Sequence, residues 1–298
     1  MSNTLTLIKK LRDVTGCGIA DCNKALAENG QDFEKSIDWL RKKGLASAAK
    51  KAARVAAEGA VAVSIKNNKA VVIEVNSETD FVARNQKFQD FVAQLANIAF
   101  DYTDIEKLKT DQDSAVKEQI GVIGENIQIR RMAHLNINSG LIVSYIHNQI
   151  ATNMGKIAVI VGFESSADSN KLSELGKQIA MHIAAARPDA LNIESVEPSK
   201  LAREVEILKE QARSSGKPES IIEKMIEGRI RKYYEEVVLL EQNFVMDDKI
   251  KIKDLVSNFG KENGKTAIAG FKFFVLGDGI EKVANNFADE VASMTKPQ

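Results

Sequence analysis

Residues 71–85 read VVIEVNSETDFVARN, a β-branched run that ends abruptly in a polar loop carrying one large apolar side chain. Val71, Val72, Ile73 and Val75 have the composition of a buried strand. Asn76, Ser77, Glu78, Thr79 and Asp80 end it, because such side chains bond their own backbone and favour turns and helix caps. Thr79 or Asp80 is then the cap of a helix expected over residues 81–99, with Phe81 in its first turn. From the residues alone, Phe81 reads first as a hydrophobic staple tucked back onto its own helix.

The pattern around this stretch occurs twice. Residues 59–65, 71–75 and 88–100 read strand, strand, helix, and residues 140–146, 157–163 and 172–186 repeat that order, each copy led by a glycine, Gly59 or Gly140. Each helix has an apolar face, Phe88, Phe91, Val92 and Leu95 in one and Leu172, Leu175, Ile179 and Ile183 in the other, fit to cover a small antiparallel sheet. The fold class is therefore α+β, with repeated subdomains at 55–139 and 140–279. The second is interrupted at about 199–240. There Leu201, Val205, Leu208 and Ala212 follow a coiled-coil seam, Ser214 to Pro218 break the helix, and Ile222, Ile226, Ile230, Tyr233 and Val237 resume it. An inserted helical hairpin is expected.

Residues 1–54 hold three apolar sets at helical spacing, with Asp32 a cap and Gly44 a stop for the third helix. From Arg41 to Arg54 there are six basic residues and no acidic one. A nucleic-acid scaffold starts from such a stretch, but no aromatic is interleaved to stack bases, so a solvated basic helical linker is the preferred reading. Ile280, Val283, Phe287 and Val291 give an amphipathic C-terminal helix over 280–298. Gly260 to Thr266 imitates a phosphate loop but has the wrong glycine spacing, and it follows a helix and precedes a strand, the reverse of what that loop needs.

At 298 residues, two or more compact units are expected. The 41 basic and 41 acidic residues cancel, which argues against nucleic-acid binding over the whole surface. No apolar run long enough to span a bilayer and no secretory start are present, so a soluble, cytoplasmic protein is expected. Cys17 and Cys22 lack a neighbouring histidine, so no metal site is expected and the pair reads as reduced, small apolar residues. No nucleophile with its base and no intact phosphate loop appears, so neither catalysis nor a cofactor is expected.

Thr79-Asp80-Phe81-Val82-Ala83 resembles the signature of the bacterial elongation factor Ts family, the guanine-nucleotide exchange factors for elongation factor Tu. Thr15-Gly16-Cys17-Gly18, Ile123-Gly124-Glu125-Asn126-Ile127, Met181-His182-Ile183-Ala184-Ala185 and Phe244-Val245-Met246 are similar to other family segments at similar distances. The resemblance covers essentially the whole chain. It implies a ubiquitin-associated-like bundle at residues 1–54, a coiled coil for the inserted hairpin, and a tail helix docked on the GTPase. It also implies that Thr79, Asp80, Phe81 and Val82 bind elongation factor Tu, with Phe81 wedging near the bound magnesium so that GDP leaves. Ile19 falls where a further apolar contact would, and His147 is another candidate. Self-association through the core or the coiled coil stays open. So does the alternative of a ubiquitin-fold-domain adaptor or an RNA-binding scaffold using residues 41–54. The family's Gly-rich link after His147 is replaced here by Asn148 to Met154.

Overall fold

The computed structural model describes residues 2–213 and 219–281. The expected helix break at 214–218 and nearly all of the expected C-terminal helix lie outside them. Three helices come first, α1 (Ser2–Thr15), α2 (Ile19–Glu28) and α3 (Phe33–Lys51), followed by strands β1 (Glu58–Lys66) and β2 (Lys69–Ser77). Next come the one-turn α4 (Asp80–Ala83), α5 (Gln86–Ile98), α6 (Ile105–Ile123) and β3 (Ile127–Asn136). The second repeat supplies β4 (Gly140–Ala151), β5 (Met154–Ser165) and α7 (Ser169–Ala186). After it come α8 (Pro198–Arg213), α9 (Glu219–Val237), β6 (Asn243–Phe244), β7 (Asp247–Lys251), α10 (Ile252–Asn263) and β8 (Thr266–Val275). The architecture is α+β. The strands run in the order β3-β2-β1-β5-β4, with β8 also pairing β5, and β6 and β7 form a separate two-stranded sheet.

Two compact units result: Met1–Val61 with Ile73–Met132 and the segment from Val275, and Ala62–Val72 with Ala133–Phe274. In the first, Leu11, Cys22, Ala25, Leu26 and Leu40 close the core of the N-terminal helices. Asp32 caps α3, its carboxylate accepting the Lys35 N–H at 3.0 Å. Gly44 does not end that helix, which runs on to Lys51. The reason is a crossing: a Cβ on Gly121 of α6 would lie 2.9 Å from the Gly44 Cα, so glycine serves close packing there rather than a stop. The helix expected over 81–99 is likewise corrected. Asn85 turns extended and accepts the Lys87 N–H at 2.9 Å, so α4 ends and α5 is capped afresh.

In the second unit α7 lays Leu172, Leu175, Ile179 and Ile183 against Val143, Val159, Val161 and Phe163. β4 and β5 pair antiparallel from Gly140↔Glu164 to Ala151↔Met154, with an irregularity between Gln149 and Ala151. The segment replacing the Gly-rich link is thus the end of a long hairpin, with Asn153 (φ 55°) in its turn and Asn148 (φ 52°) within β4. At the base of α8 and α9, Leu201, Tyr233, Tyr234 and Val237 pack around Ala190, Val196 and Val238.

The two leading glycines have one explanation. Gly59 and Gly140 sit at φ 118° and 125°, and a Cβ on either would collide with a carbonyl oxygen of the neighbouring strand, that of Val75 or of Phe163. Gly140→Ala is therefore expected to lower stability by about 1–3 kcal/mol in urea denaturation. Gly228→Ala, in the interior of α9 with open space around it, should raise stability by about 0.5–1 kcal/mol. Equal effects of the two would contradict this account.

Candidate functional site

β2 is buried as far as Ser77, and Glu78, Thr79 and Asp80 emerge half-buried. Phe81 is then 78% exposed while Val82 is only 7% and Ala83 3% exposed. The staple reading fails on that number, because a stapled ring would be covered. Val82 turns inward and anchors the loop from below. Asp80 makes an exposed pair with Arg84 at 3.6 Å.

Thr79 is the N-cap of α4 by backbone geometry, yet its side chain accepts no cap hydrogen bond. Its hydroxyl donates to the Glu125 carboxylate at 2.6 Å, and its N–H donates to the other oxygen of that carboxylate at 2.9 Å. Glu78 answers in the opposite direction, accepting the Asn126 N–H at 2.6 Å. The turn that presents Glu125 and Asn126 is set by Gly124, which ends α6 in the left-handed region at φ 91°. Asn126 Nδ2 also donates to the Arg54 carbonyl at 2.7 Å, and the Arg54 guanidinium pairs with Glu78 at 3.3 Å. Arg54 is thus tied to the loop, whereas the rest of the basic stretch is mostly the C-terminal part of α3.

Below this loop lies Glu74, a fully buried carboxylate. It accepts from Arg130 at 2.9 Å, Arg131 at 2.6 Å, the Gly277 N–H at 2.8 Å and Asn76 Nδ2 at 3.1 Å. Arg130 and Arg131 also donate to the carbonyls of Asp278 and Val275. β2, β3 and the segment after β8 are thereby pinned together. Burial opposes the charge on Glu74, but the Gly277 N–H and the two guanidiniums outweigh it and hold the carboxyl below its ordinary range.

Ile19 lies elsewhere in the same unit. It is 58% exposed on α2 and, with Leu5 and Ile8, lines a shallow cleft of about 780 Å³. His147 belongs to the other unit, exposed on β4 opposite Ile157, with its Nδ1 3.0 Å from the Tyr145 hydroxyl. In that unit His182 is fully buried, its Nδ1 accepting the Val245 N–H at 3.3 Å and its Nε2 2.9 Å from Gln242 Oε1. Burial holds this ring below its ordinary pKa and thus neutral. The same contact fixes the β6–β7 turn, where Val245 and Met246 stand 53% and 63% exposed.

Among the described residues no group of three or more His, Cys, Asp or Glu is placed to hold a metal ion, and no helix is long and apolar enough to cross a membrane. Cys17 and Cys22 are free, and burial pushes the Cys22 thiol up.

The sequence profile described as Elongation factor TS matches residues 78–278, starting at the loop itself. The chain belongs to the elongation factor Ts family. It is 54% identical to the elongation factor Ts of Rhodospirillum centenum over 97% of each chain. It is 51% identical to that of Paramagnetospirillum magneticum, over 99% of this chain and 98% of the relative. For Rickettsia felis the identity is 48%, over 97% and 96%. In this elongation factor Ts family member, Glu74, Glu78, Glu125, Asn126 and Arg54 are the residues that sequence reasoning did not assign. Glu125 and Asn126 stand in a family segment, but nothing in their spacing says that they meet a loop 46 residues or more away.

Because the folded-state pKa of Glu74 is depressed, its stabilisation is present above the ordinary glutamate value of 4.5 and lost as pH falls through the folded value. Glu74→Gln should therefore flatten the acid limb of the stability–pH curve measured by urea denaturation. Glu74→Ala, which leaves two guanidiniums facing a void, is expected to cost about 3–5 kcal/mol at neutral pH.

Proposed function

We propose that this chain is a guanine-nucleotide exchange factor of translation. It binds elongation factor Tu carrying GDP, promotes GDP release by dislodging magnesium, and stays bound until GTP enters. The observation that carries the reading is Phe81. A large aromatic side chain stands 78% exposed on a loop whose next two residues are buried and whose preceding residues are hydrogen-bonded to a fixed turn. That arrangement suits insertion into a partner, since the ring loses water on binding and the loop has little left to order.

In this reading Phe81 is the wedge, Asp80 and Thr79 position the loop, and Val82, expected to add apolar contact with the partner, has only 7% of its surface free to do so. Displacing the cation leaves phosphate charge under-compensated, which weakens nucleotide binding. By linkage, nucleotide weakens binding of the factor by the same ratio, so GTP can later displace it. The chain then needs no catalytic site or cofactor of its own and is not an enzyme. It acts in the cytoplasm on a protein partner, without direct nucleic-acid binding.

The domain reading goes with this function. Residues 1–54 are a ubiquitin-associated-like bundle with its linker, whose exposed Ile19 meets the GTPase. Residues 55–139 and 140–279 are the core subdomains. The hairpin at about 199–240 is a coiled coil used for partner or subunit contact, and the expected C-terminal contact with the GTPase over 280–298 falls almost wholly outside the described residues. His147 adds a polar contact from the second subdomain. Homodimerisation through the core or the coiled coil is compatible with these assignments.

The test pairs two measurements on Phe81→Ala, thermal melting and stopped-flow release of fluorescent GDP from elongation factor Tu at saturating factor. Filling a partner pocket with a phenyl group supplies about 1.5–3 kcal/mol. Release should therefore slow about ten- to a hundredfold. The melting temperature should barely move, because an exposed ring contributes little to the fold. A variant that melts much earlier yet releases GDP at the wild-type rate would defeat the wedge.

A further inference from the structure

We propose that Glu125 and Glu78 are positioning residues for exchange, acting through Phe81 by holding its loop in one direction before the partner arrives. This rests on the wedge reading above. The argument starts from a cap that is forgone. Thr79 occupies the N-cap position, where a threonine oxygen ordinarily accepts a free N–H of the first helical turn, and here it does not. Its hydroxyl donates instead to Glu125, and its N–H goes to the other oxygen of the same carboxylate. A two-point hold of this kind fixes the rotation of the chain as it leaves β2, two residues before Phe81.

Glu78 makes the hold reciprocal. It accepts the Asn126 N–H at 2.6 Å, so residues 78–79 and 125–126 are crossed by three bonds to carboxylates, each within 2.9 Å. Arg54 balances part of the charge on Glu78, and its carbonyl takes the Asn126 side chain, which brings the chain just after α3 into the same knot. None of these groups contributes to an apolar core, and Ser77 adds a further bond from its hydroxyl to the Thr79 carbonyl at 3.0 Å. Fixing a wedge this way matters because a small misplacement of a reacting or inserting group costs far more in rate than in affinity.

Glu125→Ala removes both acceptors, Glu125→Gln keeps one, and Thr79→Val removes only the hydroxyl donor. In the full chain, GDP release from elongation factor Tu at saturating factor should slow about tenfold or more for Glu125→Ala and less for Glu125→Gln and Thr79→Val. Affinity for the GTPase should change less than the release rate. The decisive comparison is the Phe81→Ala background, where Glu125→Ala should add no further loss, because there is no ring left to aim. The same fold-loss in both backgrounds, or wild-type release by Glu125→Ala alone, would overturn the inference while leaving the wedge standing. Should Glu125→Ala not fold, Thr79→Val carries the same comparison. Phe81→Ala releasing GDP at the wild-type rate would remove the wedge and this inference with it.

Discussion

Two carboxylates crossing in opposite directions, Glu78 to the Asn126 N–H and Glu125 to Thr79, are the constraint on which the candidate site depends. An exposed phenyl group in water has no reason to stand clear of its own surface unless the backbone beneath it is fixed. Here the fixing is done from both sides. The loop is bonded to the turn after α6, and that turn is set by a left-handed glycine and by the fold behind it. Glu74 sits lower on the same strand and ties β2 to β3 and to the segment after β8. The strand that delivers the loop is therefore held by a buried, fully partnered charge as well as by its apolar neighbours. Such a charge stabilises only while every partner is in place.

The repeat shows what is special about the first copy. Both copies begin with a glycine at positive φ whose Cα lies against a carbonyl oxygen of the neighbouring strand, and in both the following helix buries its apolar face. Their strand-to-helix junctions differ. In the second copy Asp168 caps α7 in the ordinary way, accepting the N–H groups of Asn170 and Lys171. In the first copy the corresponding junction holds the separate turn α4, and the threonine that would cap it is turned toward Glu125. One supersecondary unit thus serves as plain scaffold in one place and as a mount for an exposed aromatic in the other.

The strands at 71–75 and 157–163 and the helices after them were legible because burial on one face imposes a period that composition reveals. α6 was hard to see, since it buries only Leu108 and Ile120 over its whole length. β3 was hidden by Arg130 and Arg131, whose charge meets Glu74 on another strand. Gly44 misled because a glycine that stops a helix and one that lets two helices touch look the same in sequence. Phe81 was ambiguous for a similar reason: a ring stapled to its own helix and a ring standing clear of it share one pattern, and only the exposure in the fold separates them. The hold on the loop was not legible at all. A carboxylate that meets a threonine 46 residues away leaves no local periodicity.

The central claim is that the loop is held before any partner is met, and amide hydrogen exchange on the free protein tests it most directly. The Thr79 N–H and the Asn126 N–H each donate to a carboxylate across the knot. Both should exchange far more slowly than unstructured amides of the same sequence, although the neighbouring Phe81 side chain stands in water. Exchange of both at unstructured rates would mean that the loop is loose until bound, and would contradict the account.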